Sequence, residues 1–159
     1  MNVNELNPHA PGMLGAYARA LDAKGFQADP AQLLAVERLQ GLYESLMRFK
    51  VARSNKIRRV ISKPVVPRGV YFWGGVGRGK SFIMDCFYNA VPLQRKTRLH
   101  FHEFMREVHR QLHELKGVQD PLEVLAKRMS RKHRLICFDE FHVADVTDAM
   151  ILYRSEEHT

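Results

Sequence analysis

The sequence predicts an α/β fold: a parallel sheet with flanking helices, preceded by an N-terminal helical segment. Three observations predict it. Gly74-Gly75-Val76-Gly77-Arg78-Gly79-Lys80-Ser81 has the form G-x-x-x-x-G-K-[ST], and it lies between an apolar run, Val70-Tyr71-Phe72-Trp73, and a helical pattern. From there strand-like and helix-like stretches alternate, which favours parallel strands joined by right-handed crossovers. The strand-like runs carry no alternating polar face, as expected where helices cover both sides of a sheet.

Taken in order, residues 1–10 read as an extended arm. Pro11 to Lys24 follows a helical pattern through Met13, Leu14, Tyr17 and Leu21, with Phe26 a further apolar candidate and Gly25 placed to stop the helix. Asp29 as N-cap and Pro30 at the first helical position open a second helix, whose Leu33, Leu34, Val36, Leu39, Leu42, Tyr43, Leu46 and Met47 recur at helical spacing before it fades near Arg53. Ile61 to Arg68, with Pro64 and Pro67, is an extended connector. Val70 to Trp73 is a buried strand by its aromatic and β-branched content. Ser81 to Ala90 is the glycine loop's own helix, ended by Pro92. Thr97 to Phe101 makes a second strand. His102 to Lys116 is a helix striped with Phe104, Met105, Val108, Leu112 and Leu115, and Asp120-Pro121 opens another that runs to about Arg131. Leu135 to Phe138 is a third strand, ending at Asp139-Glu140. The domain division is 1–62, an N-terminal helical segment; 63–153, a partial loop-bearing domain; and 154–159, a tail of different character.

The chain has 159 residues, 45% hydrophobic and 26% charged, as in ordinary globular proteins. No apolar run approaches the ~20 residues that cross a bilayer, so no membrane span is expected. The first residues lack the basic start and apolar core of a secretory signal. Cys86 and Cys137 fall within apolar elements and read as buried free thiols of a reducing compartment, with a cytoplasmic location expected. The net charge of +8 is concentrated. Lys50, Arg53, Lys56, Arg58, Arg59 and Lys63 occur without an intervening acid, and Lys127-Arg128 and Arg131-Lys132-His133-Arg134 form a second group. Such patches suit nucleic acid or an acidic partner. Without interleaved aromatics they equally suit solvated helix ends, so nucleic acid is not favoured.

Two motifs carry chemistry. The glycines let the backbone curl into a nest whose N–H groups face an anion, and the helix that starts at Lys80 adds its positive end. Gly74, Gly75, Val76, Gly77, Arg78 and Gly79 would cradle phosphates, Lys80 would reach the β- and γ-phosphates, and the Ser81 hydroxyl would ligate Mg2+. The second motif is Leu135-Ile136-Cys137-Phe138-Asp139-Glu140, an apolar strand with two acids at its carboxyl end, where open α/β sheets bind ligands. Asp139 is expected to hold Mg2+ through its water shell, and Glu140 to orient and deprotonate an attacking water. Alone, a strand ending in acids is as readily a helix cap. Paired with the glycine loop it predicts nucleoside triphosphate hydrolysis, with Lys80 and Glu140 catalytic. His109 and His113 stand at i,i+4, but without H-E-x-x-H or a third ligand they predict no zinc site.

The glycine loop, Leu99 to Leu112 (LHFHEFMREVHRQL) and Cys137 to Leu152 (CFDEFHVADVTDAMIL) resemble the AFG-type, ZapE-like P-loop ATPases of the AAA+ superfamily. The likeness covers most of residues 12–153. It implies ATP and Mg2+ as cofactors. It further implies hydrolysis coupled to regulating or remodelling a partner protein, which in bacteria is the division machinery, and a homo-oligomer whose neighbouring subunit supplies an arginine. By the resemblance Gly74 to Ser81 match Walker A, and Asp139 with Glu140 match Walker B. His142, Asp145 and Asp148 lie in a family signature with no derived chemistry. Gln32 could approach the adenine by the same likeness, although a solvent-facing glutamine is the favoured expectation. Family chains are longer, so a chain truncated after the Walker B strand is expected to lack both neighbours of its phosphate-loop strand and to be catalytically poor. Arg154 to Thr159 reads as a translated sequencing adapter, which places the expected native end near Tyr153. The alternatives are a nucleic-acid-associated ATPase such as a helicase loader, a small-molecule kinase, which a water-activating Glu140 disfavours, and a non-enzymatic binding module.

Overall fold

The computed structural model describes residues 6–54, 65–75, 77–141 and 148–151, and it forms two compact units, Met1–Pro92 and Leu93–Thr159.

Three helices build the first unit: α1 (Met13–Lys24), α2 (Pro30–Ala52) and α3 (Lys80–Ala90). The α2 start follows the sequence signals, for the Asp29 side chain accepts a hydrogen bond from the Ala31 N–H at 2.7 Å and Pro30 opens the helix. α1 has no side-chain cap of its own. Instead Gln40 of α2 presents Oε1 to the Met13 and Leu14 N–H groups, at 2.8 and 3.2 Å. Gly25 ends α1 in the left-handed region, φ 63°. The three helices pack against one another. They bury Met13, Tyr17 and Leu21 of α1, Leu33, Val36 and Leu39 of α2, and Ile83, Cys86 and Phe87 of α3. Helical spacing of these residues places each set on one face, which the sequence displays.

One expected element is absent. Residues 65–75 form no strand, and the supposed core residue Trp73 is 85% exposed, with Tyr71 and Val70 also exposed. Aromatic and β-branched content suits a pleated surface, but a strand exists only through pairing with others. Among the described residues the sheet consists of two strands only, and neither pairs with this run.

The second unit contains β1 (Lys96–His100), α4 (Phe101–Glu114), α5 (Pro121–Lys132) and β2 (Leu135–Asp139). β1 and β2 pair in parallel from Lys96 opposite Leu135 to His100 opposite Asp139, the relation expected of strands joined through helices. The expectation of strands buried on both faces is corrected: β1 and β2 are largely half-buried, with Cys137 the buried residue of β2. The core lies between α4 and α5, where Phe101, Met105, Val108, Leu115 and Leu125 are buried and Phe104, Phe138 and Ile151 pack against them. Asp120 accepts from the Glu123 N–H at 3.2 Å and caps α5, as its sequence signals. Phe101 is the largest fully buried side chain of this core. Phe101→Ala is expected to cost about 3–5 kcal/mol through lost transfer energy and the cavity left behind, read as a lower urea midpoint by circular dichroism.

Both cysteines are buried and free, as expected. Burial raises the pKa of both thiols, that of Cys137 to about 11, so neither supplies appreciable thiolate near neutral pH.

Candidate functional site

The glycine loop delivers the chain into the first turn of α3. Gly77 and Gly79 take φ 83° and 75°, a backbone that side-chain-bearing residues rarely adopt, and this turns the segment toward the helix. No side chain caps α3 at Gly79. Lys80 folds back so that its Nζ donates to the Gly74 and Gly75 carbonyls at 2.8 and 2.7 Å, closing the loop on itself. Ser81 is exposed on the first turn of α3. Val76, also a predicted loop residue, lies outside the described residues.

Gln32 corrects the reading of a solvent-facing side chain. It is half-buried, its Nε2 donates to the Arg78 carbonyl at 3.3 Å, and its Oε1 accepts from the Tyr17 hydroxyl at 2.7 Å. A Cβ placed on Gly79 would lie 2.6 Å from Gln32 Nε2, so the glycine is also what lets the loop lie against that amide. Burial, helped by nearby acidic groups, holds the Tyr17 hydroxyl above the usual tyrosine range, and it stays a donor. The ring of Phe82, next to Ser81, packs against Tyr17 and Phe26 at 6.0 and 6.1 Å between centroids, and Lys24 Nζ lies 4.9 Å from it.

In the second unit the acidic pair follows directly from β2. Asp139 is its last residue, and its Oδ2 accepts from Arg98 Nε at 2.6 Å. The parallel register explains the contact. Arg98 stands opposite Cys137, and Asp139, two residues further, shares that face of the sheet. The Asp139 side chain is 16% exposed and so retains an open edge. Glu140 is exposed and takes φ 51°, an uncommon conformation for a residue with a side chain. Flanking aromatics fix it there. Phe138 packs edge-on to Phe104 and Phe101 at 4.8 and 5.7 Å, and Phe141 lies 4.3 Å from Phe101. The F-D-E-F sequence thus anchors the acids on both sides to the first turn of α4. Arg98 and Phe141 were not singled out from the sequence; the symmetry of F-D-E-F was the available signal for the latter.

His109 Nε2 lies 2.7 Å from Asp148 Oδ1, and no group of three potential metal ligands occurs among the described residues. His142 and Asp145 lie outside the described residues, as do Lys56, Arg58, Arg59 and Lys63 of the first basic run and the tail at 154–159. Of the rest, Lys50 donates to the Pro92 carbonyl at 3.0 Å and Lys127 pairs with Glu123 at 2.5 Å, while Arg131 and Lys132 end α5 where the helix dipole favours cations.

A family model described as AFG1-like ATPase matches residues 13–156. The cell division protein ZapE of Escherichia coli (strain K12) is 44% identical over 147 residues, which are 86% of this chain and 39% of that protein. Lactation elevated protein 1 homolog B of Danio rerio is 45% identical over 102 residues, 57% of this chain and 20% of that one. The chain therefore spans about two fifths of the length of its bacterial relative. No solved structure matches.

Proposed function

The chain belongs to the AFG1-like ATPase family, and from that premise we propose that the full-length protein binds Mg-ATP on the loop Gly74 to Ser81 and hydrolyses it. The observation that carries this reading is the loop itself: left-handed Gly77 and Gly79 lead into the uncapped start of α3, with the Lys80 ammonium held over the loop carbonyls. Backbone donors, a helix N-terminus and a cation beside them are what a polyphosphate requires. On binding, Lys80 exchanges the Gly74 and Gly75 carbonyls for β- and γ-phosphate oxygens, both strong charge-assisted acceptors.

The donors present suit Mg2+. Each is an oxygen donor of the kind Mg2+ takes, a hydroxyl at Ser81 and a carboxylate at Asp139, and by kinship both would serve an ion that keeps much of its water. When bound, the ion would neutralise charge on the phosphates. Arg98 orients the Asp139 carboxylate, and Glu140 takes the proton of the attacking water.

The name of the Escherichia coli relative places that protein in cell division. By kinship the hydrolysis here serves to regulate a protein partner in the division machinery, in a homo-oligomer and in the cytoplasm. No described helix is long and apolar enough to cross a membrane. Titration calorimetry of the full-length protein with Mg-ATP, followed by a phosphate-release assay, tests the proposal. Saturable binding with turnover is expected, and no heat of binding at millimolar Mg-ATP would overturn it.

A further inference from the structure

We propose that Gln32 is a positioning residue of the phosphate loop, locked in orientation by Tyr17. The inference rests on the Mg-ATP reading of that loop and adds a residue from outside either motif.

The amide has one consistent orientation. The Arg78 carbonyl can only accept, so the side-chain atom facing it must be the NH2 group. Oε1 then takes the remaining direction, toward a hydroxyl that can donate, and Tyr17 supplies it at 2.7 Å. Tyr17 is fully buried, and its ring is held by the packing of α1 against α3, so this anchor does not swing with solvent.

The bond acts on the loop's geometry. A trans peptide carries its C=O and N–H on opposite sides, and no described peptide bond is cis. Holding the Arg78 carbonyl toward Gln32 therefore turns the N–H of Gly79 away from it. That N–H belongs to the nest that would receive phosphate. A Cβ at Gly79 would lie 2.6 Å from Gln32 Nε2, so a larger residue there would have to push the amide aside. Gln32 thus sets the direction of a phosphate donor without touching the nucleotide.

Calorimetry of the full-length protein separates this role from two others. Gln32→Glu keeps the length of the side chain and the acceptor for Tyr17, but sets a carboxylate against the Arg78 carbonyl. It is expected to weaken Mg-ATP binding about three- to tenfold, the loss associated with one hydrogen bond. Tyr17→Phe, which removes the hydroxyl alone, is expected to shift affinity in the same direction by less. The same factors are expected with magnesium tripolyphosphate, which has no base. A loss confined to ATP would reassign Gln32 to the adenine and overturn the loop role. Wild-type affinity in Gln32→Glu would reduce the residue to a packing element and overturn it as well. Absence of Mg-ATP binding by the wild type would be a different result, removing the reading beneath the inference.

Discussion

Lys80→Ala is expected to lower the affinity of the full-length protein for Mg-ATP by roughly 10- to 100-fold and to abolish turnover, with folding unchanged by circular dichroism. Hydrogen bonds to charged groups contribute about 1.5–3 kcal/mol each, and a lysine on two phosphates forms at least one that the alanine variant cannot replace. A second loss adds to the first. The same Nζ ties the loop shut through Gly74 and Gly75, so the variant also frees the backbone that must present its N–H groups together. Lys80→Arg retains the charge but brings a broad planar fork to a site arranged for a compact ammonium, and it should recover little. Unaltered affinity in Lys80→Ala would show that the nucleotide binds elsewhere.

Glu140→Gln is expected to leave Mg-ATP affinity within about twofold and to reduce kcat by 10²- to 10⁴-fold, the range associated with loss of a general base. The amide preserves shape and can still orient a water, but it cannot accept the proton. The prediction is sharp because the position is so well fixed. Phe138 and Phe141 pin the two ends of the acidic dipeptide to the start of α4, and the backbone at Glu140 takes a conformation that costs energy unless its surroundings impose it. A variant that hydrolyses ATP at the wild-type rate would move the base to another residue. Measuring binding and single-turnover hydrolysis on one preparation distinguishes that outcome from a failure to bind.

The residues legible in advance were those whose signals are local. Asp29 with Pro30, Asp120 with Pro121, and Gly25 mark helix ends by chemistry contained within one turn, and the structure places those ends within a residue or two of the expected ones. The thiols were legible too, because Cys86 and Cys137 share the apolar stripes of their elements. Val70 to Trp73 was misread because strand formation belongs to a set of chains side by side, and one apolar run cannot report whether partners stand beside it. Gln32 was misread for a related reason. Its two hydrogen bonds reach Tyr17, 15 residues away, and Arg78, 46 residues away, and nothing within α2 marks which glutamine faces the loop. The Arg98–Asp139 pair needed the strand register, which places residue 98 diagonally from residue 139.

The borrowed start of α1 bears on how this half of the molecule comes together. A 12-residue helix is marginal alone, and two donors at its head, the Met13 and Leu14 N–H groups, are met by Gln40, which is in place once α2 has docked. Tyr17 acquires its address at that moment, and with it the hydroxyl that steadies Gln32. The head of α1 and the brace beneath the glycine loop therefore both draw on side chains that α2 supplies, Gln40 for the one and Gln32 for the other, so loosening α2 is felt at the two together.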